Sequence, residues 1–178
     1  MRTFIAINFG EELRERLSCF NGPPVKGVKW VEKENLHLTL VFLGEAVTEA
    51  NLKAVKDAMR CFAGFRSFEL TVSNTGAFPD FGRPRVLWAG IEKGREELSG
   101  MYAVLRGKLF KAGFMFEDRF SPHVTLGRVG KKPDNNLIYR FRRHSFAAGE
   151  MIGRVDLMES FSGPSGPAYR TLYSEELG

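Results

Sequence analysis

Glutamine is absent from this sequence, cysteine occurs twice and histidine three times in 178 residues. Cys19 and Cys61 each sit beside apolar residues in a helical pattern and read as reduced, half-buried thiols, with a disulfide or a metal pair as the alternative. No run approaches the roughly 18–20 apolar residues of a membrane-spanning helix. The opening MRTFIAINFGEELRERL lacks an apolar core segment and a small-residue cleavage site, so it reads as a strand and a charged helix, not a signal peptide. A soluble, cytoplasmic protein is expected. The missing glutamine, with a lean toward Glu, Lys and Arg, resembles the thermophile bias, which bears on growth temperature and not on function.

What is present is a core and a positive excess. Hydrophobic residues make up 43% of the chain, enough for one compact domain or two tightly joined lobes, and they exclude a disordered chain. The net charge is +5, which fits an anionic partner, nucleic acid first among them.

Periodicity divides the chain into alternating elements. Strands are expected over Thr3 to Phe9, 36–43 and Ser67 to Val72, then over 85–91, 123–129, Glu150 to Ser160 and Tyr169 to Ser174. Leu13, Leu17 and Phe20 share one helical face, ended by Asn-Gly-Pro-Pro at 21–24. A second helix from about Ala50 buries Leu52, Val55, Met59 and Phe62. A third carries Leu98, Met101, Leu105 and Leu109 and stops at Gly113. A fourth is expected over Asp134 to Arg143. The halves, about 1–80 and 81–178, thus read β-α-β-α-β twice with one strand left over, inside a single α+β domain whose lobes could exchange strands.

Two of the three histidines occur as His-x-Thr-Leu, in LHLTLVFLG and SPHVTLGRVG. With 7 threonines and 17 leucines in the chain, chance gives this with a probability of about 4 in 100,000 before discounting for a pattern chosen afterwards. The copies, His37 and His123, fall on the middle strand of each half, 86 positions apart (123 − 37), and internal duplication explains them. Strand alternation puts His37 and Thr39 on one face and Leu36, Leu38, Leu40 and Phe42 on the core side; His123 and Thr125 repeat this, with Val124 and Leu126 opposite. A metal site would want a third or fourth His, Cys or carboxylate, where these strands supply threonine. Imidazole titrates near neutrality, so one ring can take a proton while the other gives one. Two hydroxyls and an arginine can hold phosphate oxygens. These are the parts of metal-free phosphodiester cleavage.

With their flanks WVEKENLHLTLVFLG and RFSPHVTLGRV, the opening RTFIAI, RPRVLWAGI and the late VDLMESFSGPSGPAY, the motifs resemble the two-histidine (2H) phosphoesterase superfamily. Within it the chain is similar to the RNA 2′,3′-cyclic phosphodiesterases, also called 2′-5′ RNA ligase-like proteins. The resemblance implies a bilobal α+β fold, with two antiparallel sheets around a central cleft and one histidine on each wall. It implies hydrolysis of a 2′,3′-cyclic phosphate RNA end to a 2′-phosphate, or in reverse 2′-5′ ligation, without metal or nucleotide cofactor. Carried over to the matching positions, His37 is the proton donor and His123 the proton acceptor; the symmetry of the motifs leaves those roles open on sequence alone. The implied partner is RNA ending in a cyclic phosphate, tRNA fragments included, with no membrane and a monomeric protein.

The resemblance also favours Arg128 as a phosphate contact, although strict alternation puts it on the opposite pleat from His123 unless the strand bulges. Arg119 is a further phosphate candidate, with a plain surface charge as its other reading. YRFRRHSF (139–146) is either an RNA-backbone patch with stacking rings or a solvated helix face with buried aromatics. His144, within it and without a threonine partner, reads as a surface residue. Phe78, Phe81 and Trp30 are candidates for gripping a terminal base. Alternative readings are a 2H enzyme of small cyclic nucleotides or 2′-5′ oligonucleotides, and an RNA-end binding module without catalysis.

Overall fold

A computed structural model describes residues 1–20, 27–131, 134–163 and 166–178. The Asn-Gly-Pro-Pro break expected at 21–24 lies outside them. Nine strands and four α-helices are described: β1 (Arg2–Asn8), α1 (Glu11–Ser18), β2 (Val28–Trp30), β3 (His37–Gly44), α2 (Leu52–Met59), β4 (Phe68–Phe78), β5 (Val86–Lys93), α3 (Arg95–Lys111), β6 (His123–Val129), α4 (Asn135–Arg143), β7 (Ala147–Ile152), β8 (Arg154–Gly163) and β9 (Gly166–Glu176). No helix among the described residues is long and apolar enough to cross a membrane. Cys19 and Cys61 are both free.

The helices form where apolar residues recur on one face. In α3 the buried Leu98, Met101, Leu105 and Leu109 follow a spacing of three, four and four. The chain then turns at Gly113, whose φ of 86° is open to glycine at little cost, and the Phe114 amide returns to the Leu109 carbonyl at 3.0 Å. Asp134 caps α4 by accepting the Asn136 amide at 2.9 Å.

The fold is α+β. The strands run in the order β7-β4-β5-β6-β3-β1-β8-β9, all antiparallel, with β2 paired to β6. The two antiparallel sheets are half-sheets of one path, joined where Leu38 pairs with Val124. Both residues are fully buried and form the core side of the seam. Each half-sheet draws on both halves of the chain: β4 pairs with β5 and β7, and β8 pairs with β1. β4 starts at Phe68 and β8 at Arg154, 86 positions apart (154 − 68) like the two histidines. The single strand expected over 150–160 is two strands, β7 and β8, which break at Gly153 and join opposite half-sheets. Its apolar pattern runs through the break, because periodicity records the buried face and not the neighbouring strand.

Candidate active site

The Leu38–Val124 register fixes the arrangement around it. One residue either way along this antiparallel pair, Thr125 stands opposite His37 and His123 opposite Thr39, all four on the face away from the core. The two imidazoles occupy one diagonal of a quadrilateral and the two hydroxyls the other. Diagonal neighbours across such a pair are about 7–8 Å apart. The two motif strands thus lie side by side, and the histidines converge across their seam.

Each ring is held the same way. Nδ1 of His37 lies 2.7 Å from the Asn35 carbonyl oxygen, and Nδ1 of His123 lies 2.6 Å from that of Ser121. A carbonyl only accepts, so both Nδ1 atoms carry hydrogen and the exchangeable site in both rings is Nε2. His37 Nε2 is 3.1 Å from the Thr39 hydroxyl. Aromatic rings complete each setting: Phe4 and Tyr169 at 4.9 and 5.4 Å from His37, Phe78 and Trp88 at 5.0 and 6.3 Å from His123. Burial pushes both imidazoles below the ordinary histidine pKa, and the carbonyl partners oppose this in part. At His37 repulsion by His123 adds to the depression.

A cavity of about 490 Å³ opens beside the seam, lined by Arg2, Phe4, His37, Thr39 and Phe42 of the first half-sheet and Thr125 and Arg128 of the second. Lys29, Trp30 and Tyr169 close its sides. His123 is not among the lining residues; it stands diagonal to His37 across the seam. Two bulges shape this lining. In the β1–β3 pairing Leu40 is passed over, with Ala6 opposite Thr39 and Ile5 opposite Val41; in the β5–β6 pairing Leu126 is passed over, with Trp88 opposite Thr125 and Leu87 opposite Gly127. Each bulge reverses the alternation after His-x-Thr-Leu. The residue five places beyond each histidine therefore returns to the site face: Arg128 in one strand, Phe42 in the other. Phe42, expected in the core, is 49% exposed, and the Arg2 guanidinium lies 5.3 Å from its ring centre.

The structure brings His37, His123, Thr39, Thr125 and Arg128 together and leaves Arg119 apart. Arg119 sits in the loop before β6, its side chain 87% exposed and 3.6 Å from the Glu117 carboxylate, and it lines no part of the cavity. His144 is exposed, with its ring 4.7 Å from that of Phe20. Sequence reasoning passed over Arg2, Lys29, Phe4 and Tyr169, which carry no local signal. Phe42 had one, the five-residue offset it shares with Arg128.

Two glycines make room for the aromatic walls. A Cβ on Gly76 would fall 2.1 Å from the Trp88 ring, and one on Gly127 2.8 Å from the Trp30 ring. Both indole nitrogens are buried without a hydrogen-bond partner among the described residues, at a cost of about 1–3 kcal/mol each. Gly76→Ala is expected to destabilise the fold by about 1–3 kcal/mol through overpacking, read by denaturant unfolding, and to lower turnover by displacing Trp88 from His123. Wild-type stability and turnover together would show that Trp88 can move aside freely.

This geometry has counterparts. The LigT like Phosphoesterase family matches the chain twice, over residues 8–88 and 90–169, each match containing one His-x-Thr-Leu. An RNA 2′,3′-cyclic phosphodiesterase of Thermotoga maritima is 38% identical over 97% of this chain and 94% of its own length. Another, from Archaeoglobus fulgidus, is 37% identical over 97% and 98%. The crystal structure of the Thermus thermophilus protein TT0787 superposes with a TM-score of 0.83 at 30% identity, covering 99% of this chain and 98% of that one. With both halves matched and full-length relatives above 30% identity, the chain belongs to the LigT-like phosphoesterase family of enzymes.

Proposed function

We propose that this protein hydrolyses 2′,3′-cyclic phosphate ends of RNA to 2′-phosphates, with His37 and His123 as acid and base. The observation that carries the reading is the diagonal pair of imidazoles, each with Nδ1 tied to a carbonyl and Nε2 left for proton transfer. His123 Nε2 takes a proton from water, and the resulting hydroxide attacks phosphorus. The bond from phosphorus to the 3′ oxygen breaks, and His37 Nε2 delivers a proton to that oxygen, leaving a 3′-hydroxyl and a 2′-phosphate. Acid and base must stand on opposite sides of phosphorus, a requirement with which the diagonal placement of the two imidazoles agrees. Thr39 and Thr125, on the other diagonal, donate to the non-bridging oxygens, and Arg128 adds a charge-assisted hydrogen bond. Burial favours the neutral form of His37 in the free protein, so the anionic ester must draw the proton onto it. Admission of a 5′-hydroxyl in place of water turns the same pocket to 2′-5′ ligation.

The names of the relatives support the substrate class. The reading carries with it a monomer working in the cytoplasm without metal or nucleotide cofactor, on RNA ends that include tRNA fragments. Among the described residues no group of three or more His, Cys, Asp or Glu could hold a metal ion. The test is incubation in EDTA with an RNA ending in a 2′,3′-cyclic phosphate, followed by identification of the product end. A 2′-phosphate that fails to form with His37→Ala is expected. A 3′-phosphate product, or activity abolished by EDTA and restored by metal, would overturn the mechanism.

A further inference from the structure

We infer that the exposed face of α4, with the loop 79–85 beside it, is a docking surface for the RNA strand that leads to the reactive end. The inference rests on the proposed activity for the identity of its ligand. It assigns a second contact region, which a mononucleotide does not reach.

Basic side chains among the described residues are of two kinds, those ion-paired with carboxylates and those, on α4 and elsewhere, that are not. Nine basic side chains elsewhere among the described residues are ion-paired with carboxylates. Arg140, Arg142 and Arg143 of α4 are exposed and have no carboxylate partner among the described residues. The acids nearest to this surface in sequence are turned to the backbone. Asp134 accepts the Asn136 amide at 2.9 Å, and Asp80 accepts those of Gly82 and Arg83 at 2.7 and 3.1 Å. The positive field of these arginines is thus left for an outside anion.

The surface is joined to the site by two routes. Phe141, on the buried side of α4, packs 6.1 Å from Trp30, which lines the cavity next to Lys29 and Arg128. From the other side, Phe78 lies against His123 at 5.0 Å and opens the loop whose Phe81 ring is 5.6 Å from the Arg142 guanidinium. The arginines are also held in place. Arg142 is seated on Phe81, while Arg143 lies 5.6 Å from the Tyr139 ring centre and donates to its hydroxyl at 3.0 Å. Tyr139 is 60% exposed. Positioned guanidinium planes interleaved with an open aromatic ring are what a single-stranded nucleic acid needs, charge for its phosphates and a platform for a base. A carboxylate-bearing protein would use the charge but not the ring.

The test compares binding of two ligands, a mononucleoside 2′,3′-cyclic phosphate and an oligoribonucleotide with the same end, to the parent protein and to Arg140→Gln/Arg142→Gln/Arg143→Gln. The variant should bind the mononucleotide, and turn it over, as the parent does, which also shows that the fold is intact. Its oligonucleotide Kd should rise and depend less on salt. Three lost phosphate contacts at about 0.7 each lower the log–log slope by about 2, so between about 50 and 200 mM salt the parent should lose about 18-fold more affinity than the variant. Equal salt slopes, or equal losses on both ligands, would overturn the inference while leaving the activity standing. If the parent bound the oligonucleotide with the steeper slope but left both cyclic ends unopened, the proposed activity would fall and the docking surface would stand.

Discussion

His37→Ala is expected to lower kcat/KM on a cyclic-phosphate RNA end by about 10²–10⁴, the usual worth of one positioned acid or base. The double variant His37→Ala/His123→Ala should fall little further. Proton removal from water and proton delivery to the 3′ oxygen belong to one displacement at phosphorus. Once either imidazole is gone, the other has no concerted step left to serve, and residual activity comes from binding and the hydroxyls. The structure supports the test technically, because both histidines lie on the face away from the core and their core-side neighbours Leu38 and Val124 remain. Steady-state kinetics of the two single variants and the double variant decide it. Losses that multiply would mean the histidines act in separate, independent steps.

The pH dependence should be as large. Catalysis needs one imidazole charged and the other neutral, so kcat/KM follows the singly protonated pair and is bell-shaped. Burial depresses both rings below 6.5, and repulsion at His37 separates the two protonations further. The maximum should therefore lie on the acid side of pH 6.5, with kcat/KM falling about tenfold per unit beyond the alkaline limb, about 100-fold between pH 7 and 9. A bound phosphate anion favours the charged rings, so the kcat profile should sit to the alkaline side of the kcat/KM profile. The same depression acts on folding. Between the lowered folded-state pKa values and 6.5 the unfolded chain holds more protons, so stability rises with pH through that window and is lost as pH falls through it. Denaturant unfolding at pH 7 and pH 5 checks this. A flat rate profile between pH 5 and 8 would remove the imidazoles from the rate-determining chemistry.

Local pattern alone determined much of this protein. The buried stripe and glycine stop of α3, the core sides of β3 and β6 around the motifs, and the pairing of each histidine with a threonine follow from spacings of two to four residues, within the reach of backbone geometry. The 86-residue separation that marks the duplication is equally a property of the chain. Tertiary structure decided which strands become neighbours. Nothing in the composition of β4 or β8 says that each joins the other half-sheet, because alternation encodes a face and pairing is a long-range choice. It also decided the contents of the cavity. The bulges after Thr39 and Thr125 exist only in register with β1 and β5, and they turned Phe42 and Arg128 onto the site face. Arg2 and Tyr169 reach that face from the two ends of the chain, whereas Arg119, four residues from His123, points to solvent. The hydrogen on each Nδ1 was settled by a carbonyl two residues upstream, which only the folded backbone brings into place.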